Sequence, residues 1–162
     1  FGNSGIYVSP MYVTRIEDRY GNVIASFHPV ESEAISQETA YLMLTLLKNV
    51  VDMSGSYRGE PYYGTASRLR GRYQLKGELA GKTGTTNNYN DALFVGFSPA
   101  IVTGVWVGRD ARGTLGDEET GAKAALPIWI QFMQSALTTA SMSFVIATQA
   151  LHQASVMKAE AS

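Results

Sequence analysis

Glu78-Leu79-Ala80-Gly81-Lys82-Thr83-Gly84-Thr85-Thr86-Asn87-Asn88-Tyr89-Asn90-Asp91-Ala92-Leu93-Phe94-Val95-Gly96-Phe97-Ser98-Pro99 decides the fold class. Glu78 to Thr85 and Ala92 to Phe97 are strand-forming runs separated by the turn-forming cluster Asn87-Asn88-Tyr89-Asn90. A third such run, Ile101 to Gly108, follows Ser98-Pro99. Connections this short join antiparallel neighbours, so the segment predicts a meander. Downstream, Arg109 to Gly121 is polar and glycine-containing, which reads as a loop. Helical character returns from Ala122 to Leu137, with Pro127 suited to the first turn of the helix proper, where its missing N–H costs nothing. This helix is expected to pack on one face of the meander, giving an α+β (mixed) fold with flanking helices.

Upstream, Ala40, Met43, Leu44, Leu47, Val50 and Val51 recur at helical spacing from Gln37 to Val51, with Ser36 as N-cap and Glu38 in the first turn. Met11 to Ile16 and Val23 to Phe27 read as strands of a hairpin joined through Tyr20-Gly21-Asn22, after an opening turn at Phe1 to Gly5. Gly55 to Gly64, with Pro61 and several tyrosines, lacks periodicity and reads as a surface loop. A short helix is expected over Ala66 to Arg70. The cluster Arg68, Arg70, Arg72 and Lys76 reads as a solvated helix or loop.

The 162 residues suit one domain, and 45% apolar with 17% charged residues describes a folded chain. A net charge of -1 gives no broad field for nucleic acid. With no cysteine, thiol catalysis and cysteine metal sites are excluded. His28 and His152 lie far apart without carboxylates at ligand spacing, so neither a metal nor another cofactor is expected. Ala124 to Met157 holds no Asp, Glu, Lys or Arg, but Gln131, Gln134 and Ser135 interrupt it too early for a membrane span.

Gly81-Lys82-Thr83-Gly84-Thr85-Thr86 gathers a cation, three hydroxyls and two glycines on one predicted strand. A phosphate-binding loop would need a glycine five positions before Gly81, where Lys76 stands, and would have to open a helix. Strand alternation puts Lys82 and Gly84 on one face and Thr83 and Thr85 on the other, unless the strand twists or bulges. Alternation alone does not say which hydroxyl reaches a ligand.

The resemblance that accounts for this segment extends over roughly residues 1 to 137. Lys82-Thr83-Gly84 resembles the Lys-Thr-Gly element of penicillin-binding proteins and serine β-lactamases. Ala80 to Asn87, Asp91-Ala92, Phe94 to Pro99, Val102 to Gly108 and Gly121 to Trp129 follow the order and spacing of the class A bifunctional penicillin-binding proteins. Gly5 to Val8, Thr14 to Asp18 with Gly21-Asn22-Val23, and Met43 to Val51 are similar to the family's segments before that motif. The resemblance implies an incomplete penicillin-binding transpeptidase fold and a parent enzyme that cross-links peptidoglycan stem peptides at their D-Ala-D-Ala ends. It implies that Lys82 supplies positive field, that Thr83 and Thr85 hold the substrate carboxylate, and that Gly84 lets substrate approach the backbone. The Thr85 N–H would be an oxyanion-hole donor. β-Lactams would be ligands of the complete domain. Phe94, Gly96, Phe97, Trp106 and Gly108 are assigned to packing and turns, and Lys48 and Lys123 to helix surfaces.

The family's nucleophile is a serine with a lysine three positions later, one helical turn away. Only Ser155-Val156-Met157-Lys158 has that spacing, and it lies after Lys-Thr-Gly instead of before it. No Ser-x-Asn occurs, and Tyr20-Gly21-Asn22 suits a hairpin turn. The chain is therefore expected to begin inside the transpeptidase domain, to lack the nucleophile and to be inactive alone. Residues 1–137 are expected to form the C-terminal portion of the transpeptidase domain, and 138–162 a helical extension or disordered tail. The missing N-terminal part of the domain is the implied partner, and any membrane anchor would belong to the parent's absent N-terminus, on the periplasmic face of the cytoplasmic membrane. Two other readings stay open: a non-catalytic scaffold or binding module, and a DD-carboxypeptidase or β-lactam-sensing relative.

Overall fold

The computed structural model describes residues 1–137. Its elements run β1 (Ile6–Val8), β2 (Arg15–Glu17), β3 (Val23–Ser26), β4 (Glu31–Glu33), α1 (Gln37–Asp52), β5 (Ser54–Tyr57), β6 (Glu60–Tyr63), α2 (Arg68–Gly71), β7 (Ala80–Thr85), β8 (Ala92–Phe97), β9 (Val102–Val107) and α3 (Leu126–Leu137). A 3-10 turn at Asn87–Tyr89 and a π turn at Gly121–Ala125 complete them. Strands β7, β8 and β9 form the antiparallel meander that the sequence predicts, in the order β7-β8-β9 with β7 at one edge. Ala80 pairs with Phe97 and Thr85 with Ala92, without a bulge, so side-chain alternation holds along all of β7.

One face of this sheet carries the core. Phe94 meets Trp129 of α3 edge to face, at 5.0 Å between ring centroids. Both are fully buried, along with Leu69, Leu79, Leu126, Ile130 and Met133. Burying each such side chain stabilises by about 1.5–3 kcal/mol, and the paired rings add about 0.5–1.5 kcal/mol. Trp129 Nε1 donates to the Thr103 carbonyl at 3.1 Å, which satisfies the one polar atom the large ring carries inward. Gly96 makes this approach possible, since a Cβ there would stand 2.7 Å from both Phe94 and Trp129. On the other face, Leu44 and Leu47 of α1 pack with Ala80 and Phe97. α1 starts as predicted: Ser36 Oγ accepts from the Thr39 N–H at 3.3 Å. Pro127 falls in the first turn of α3.

Three details differ from the sequence reading. Gly55 to Gly64 is not a loop, because β5 and β6 pair through an Arg58-Gly59 turn whose residues both have positive φ, 52° and 87°. Two consecutive positive φ values are the signature of a tight hairpin turn. The pair is exposed along its whole length, so no in-out alternation of apolar residues marked it. Second, of the expected Met11 to Ile16 strand only Arg15 and Ile16 lie in the paired strand, which ends at Glu17, and β1 with β4 forms a further ribbon that the composition did not signal. Third, Arg70 is no solvated charge. Its guanidinium donates to Asp52 Oδ1 at 2.7 Å, the Leu75 carbonyl at 2.6 Å and the Gly77 carbonyl at 2.8 Å, tying α1 to the approach to β7.

Candidate active-site strand

β7 reaches its edge position because its inward residues are small. Ala80 and Gly81 are buried, and a Cβ on Gly81 would stand 2.7 Å from Phe94 and 2.8 Å from the Val95 carbonyl. From Lys82 onward the strand emerges toward solvent. Lys82 is exposed, and its Nζ donates to the Thr83 carbonyl at 2.7 Å. Among the described residues its ammonium has no carboxylate within salt-bridge distance, whereas Lys48 and Lys123 meet Glu78 and Glu118. Lys123, lying against the Glu118 carboxylate, holds that acid below the usual carboxylate range through its hydrogen bond and its charge.

The two threonines face the core side of the sheet and each finds a partner there. Thr83 Oγ1 lies 2.9 Å from Thr65 Oγ1, and Thr85 Oγ1 accepts the Gly121 N–H at 3.1 Å. Gly121 sits directly on the β7–β8 ladder, where a Cβ would meet the carbonyls of Leu93 and Gly84. Lys82 and Gly84 take the opposite face, as alternation requires.

The backbone pattern of β7 is fixed by its last ladder bond. The Thr86 N–H donates to the Asp91 carbonyl at 3.0 Å. In an antiparallel pair the bonding direction alternates residue by residue, so Thr86, Gly84 and Lys82 turn their backbone groups toward β8. Thr83 and Thr85 consequently direct their N–H and C=O groups to the edge that, among the described residues, no strand covers. Lys82 Nζ, reaching the Thr83 carbonyl, lies along that same edge. The result is a strand edge bearing a cation and an outward backbone N–H at Thr85, flanked on its core side by two hydroxyls, with glycine at the position between the threonines.

Thr65 and Asp91 were not singled out in the sequence as supports of this strand. Thr65 stands 18 positions from Thr83, and nothing local links them. Asp91 is a turn residue in sequence. In space it accepts from Trp106 Nε1 at 3.0 Å and from Thr86 Oγ1 at 3.1 Å, which fixes the end of β7. Among the described residues no group of His, Asp and Glu has the arrangement of a metal site, and no helix is long and apolar enough to cross a membrane. Ser155, Lys158 and His152 lie outside the described residues, as does the segment 138–162.

The model of the penicillin-binding protein transpeptidase domain matches residues 1–134. The chain belongs to this family. Among curated relatives, penicillin-binding protein 1A of Aquifex aeolicus is 39% identical over 134 residues, covering 83% of this chain and 17% of that protein. Penicillin-binding protein 1A of Neisseria gonorrhoeae is 35% identical over 142 residues, covering 85% and 16%. The crystal structure of penicillin-binding protein 1A from Haemophilus influenzae superposes with a TM-score of 0.70 at 26% identity, covering 88% of this chain and 26% of that one. An imipenem acyl-enzyme of penicillin-binding protein A from M. tuberculosis, at 23% identity and a TM-score of 0.53, shares the fold. The chain thus has the mixed fold of penicillin-binding transpeptidase domains and spans about a sixth of the curated relatives it matches.

Proposed function

We propose that β7 is the substrate-binding wall of a serine-type D-Ala-D-Ala transpeptidase that cross-links peptidoglycan stem peptides. The observation that carries this reading is the outward edge of β7, where Lys82, Thr83, Gly84 and the Thr85 N–H fall together on an edge that no strand among the described residues covers. A peptide laid along that edge gains backbone hydrogen bonds, as in strand addition. Lys82 and the hydroxyls of Thr83 and Thr85 meet its terminal carboxylate. Gly84 leaves the backbone open to close approach. The Thr85 N–H stabilises the oxyanion formed when a serine attacks the penultimate carbonyl, a contact typically worth about 3–4 kcal/mol in the transition state. Collapse of that intermediate breaks the amide bond, expels D-alanine and leaves an acyl-serine, which passes its acyl group to an amine of a neighbouring stem.

The serine itself is not in this sequence ahead of Lys82, since Ser155-Val156-Met157-Lys158 is the only Ser-x-x-Lys and follows the motif. On this reading the chain works as part of a longer transpeptidase on the periplasmic face of the cytoplasmic membrane, with peptidoglycan peptides and β-lactams as ligands, and is inactive alone. Intact mass spectrometry after exposure to penicillin tests this. The 162-residue chain should stay unmodified while the longer enzyme gains one penicilloyl group. An adduct on any serine of this chain, Ser155 included, overturns the missing-nucleophile reading.

A further inference from the structure

Beyond the end of β7 lies a cavity of about 380 Å³ lined by Thr86, Asn87, Asn88 and Asp91 on one side and Arg109 and Arg112 on the other. Its walls come from the β7–β8 turn and the segment after β9, and they are pinned together. The Leu115 N–H donates to the Tyr89 carbonyl at 2.8 Å. Asn88 and Tyr89 both hold positive φ, 58° and 53°, a costly conformation for residues with side chains that the surrounding bonds maintain. The acid in the cavity is already engaged, since Asp91 Oδ1 accepts from Trp106 Nε1 and Oδ2 from Thr86 Oγ1. Among the described residues neither Arg109 nor Arg112 has a carboxylate partner. The cavity therefore presents two guanidinium groups beside amide side chains, a composition suited to a planar carboxylate, which guanidinium binds through two parallel hydrogen bonds.

We propose that this cavity is a second anion site, taking a carboxylate of the peptide ligand other than the one met by Lys82. The inference rests on β7 being the peptide-binding strand: Thr86, which lines the cavity, directly follows Thr85. An extended peptide advances about 3.3 Å per residue, so a ligand continuing along β7 enters the cavity within a residue or two. The site then selects peptides by an acidic group set back from the reacting end.

The test is equilibrium binding by the longer protein that carries this chain. The probe is a D-Ala-D-Ala-terminated peptide with one side-chain carboxylate, compared with versions amidated at the side chain or at the C-terminus. Side-chain amidation should weaken binding about tenfold in the wild type, as for a lost charge-assisted contact. The same loss should appear in Lys82→Ala and vanish in the double variant Arg109→Gln/Arg112→Gln. Arg112→Lys, which keeps charge without the planar fork, should fall between. C-terminal amidation reports separately on Lys82, so indifference to it in both the wild type and Lys82→Ala would remove the β7 reading while leaving the arginine result interpretable. Inorganic phosphate, which guanidinium also binds, should weaken binding of the acidic peptide no further than to the affinity of its side-chain-amidated version and should leave that version's binding unchanged; equal displacement of both overturns the peptide assignment. An equal effect of side-chain amidation in the wild type and in the double arginine variant, or no effect in either, overturns the site.

Discussion

The Gly121 N–H and Thr85 Oγ1 are joined by a 3.1 Å hydrogen bond that links the π turn before α3 to the end of β7. The bond keeps the Thr85 hydroxyl on the core side of the strand while its backbone N–H points to the uncovered edge. The hydroxyl accepts this bond through its oxygen and keeps its own hydrogen, so both it and the N–H can donate to a ligand. Gly121 is required there because its α-carbon lies against the ladder, with no space for a methyl group beside the Leu93 and Gly84 carbonyls.

Gly121→Ala is therefore expected to destabilise the protein by about 1–3 kcal/mol, the range for an added group in a packed site. Because the backbone that must yield includes Gly84, penicillin acylation of the folded fraction of the longer enzyme should slow as well. Unfolding midpoints and acylation rates measured on the same preparation check both effects. A variant with an unchanged midpoint would show that the turn can slide off the strand freely.

Arg70→Ala should destabilise by about 1–2 kcal/mol, chiefly through its bonds to the Leu75 and Gly77 carbonyls, because a partly exposed ion pair such as Arg70–Asp52 contributes under about 1 kcal/mol. Arg70→Lys should not restore the loss, since one ammonium cannot reproduce the three-way fork. Denaturant unfolding of both variants tests this; full rescue by lysine would reduce Arg70 to a simple charge.

The meander and both long helices were legible in the sequence because each has an inside and an outside. Phe94 and Ala92 alternate with Val95 and Leu93, and Leu44 and Val51 recur at helical spacing, so burial leaves a periodic trace. The β5–β6 hairpin has no inside among the described residues, and its composition gave only turn signals. The Lys82 to Thr85 element stood out by its chemistry and its flanking matches. Its supports did not, because Thr65 and Gly121 reach it from 18 and 36 positions away. The bond from Gly121 is a backbone donor, which any non-proline residue carries, so no side-chain type announces it.

The β2–β3 turn makes a pH prediction. Asp18 accepts hydrogen bonds from the Asn22 side chain and from the backbone N–H groups of Asn22 and Tyr20. The Asn22 side-chain bond leads in holding its carboxyl below the ordinary aspartate range. A carboxylate whose folded-state pKa is depressed contributes stability that is present above its unfolded value and lost as pH falls through the folded one. The turn should therefore stay ordered through the ordinary aspartate range and loosen only below it. Amide chemical shifts of Tyr20 and Asn22 followed through an acid titration should move with a midpoint below that of an unstructured peptide. A midpoint equal to the peptide's would remove the turn bonds as its cause.

Whether Lys82 serves ligand binding or the fold is decided in the longer enzyme carrying Lys82→Ala. Penicillin acylation rate and unfolding midpoint are measured side by side. Loss of a charge-assisted contact worth roughly 1.5–3 kcal/mol should slow acylation about ten- to a hundredfold. Removing an exposed lysine should change stability by under about 0.5 kcal/mol. A midpoint that falls sharply while acylation of the remaining folded protein is unchanged would make Lys82 a structural residue and contradict the assignment of β7 as the active-site strand.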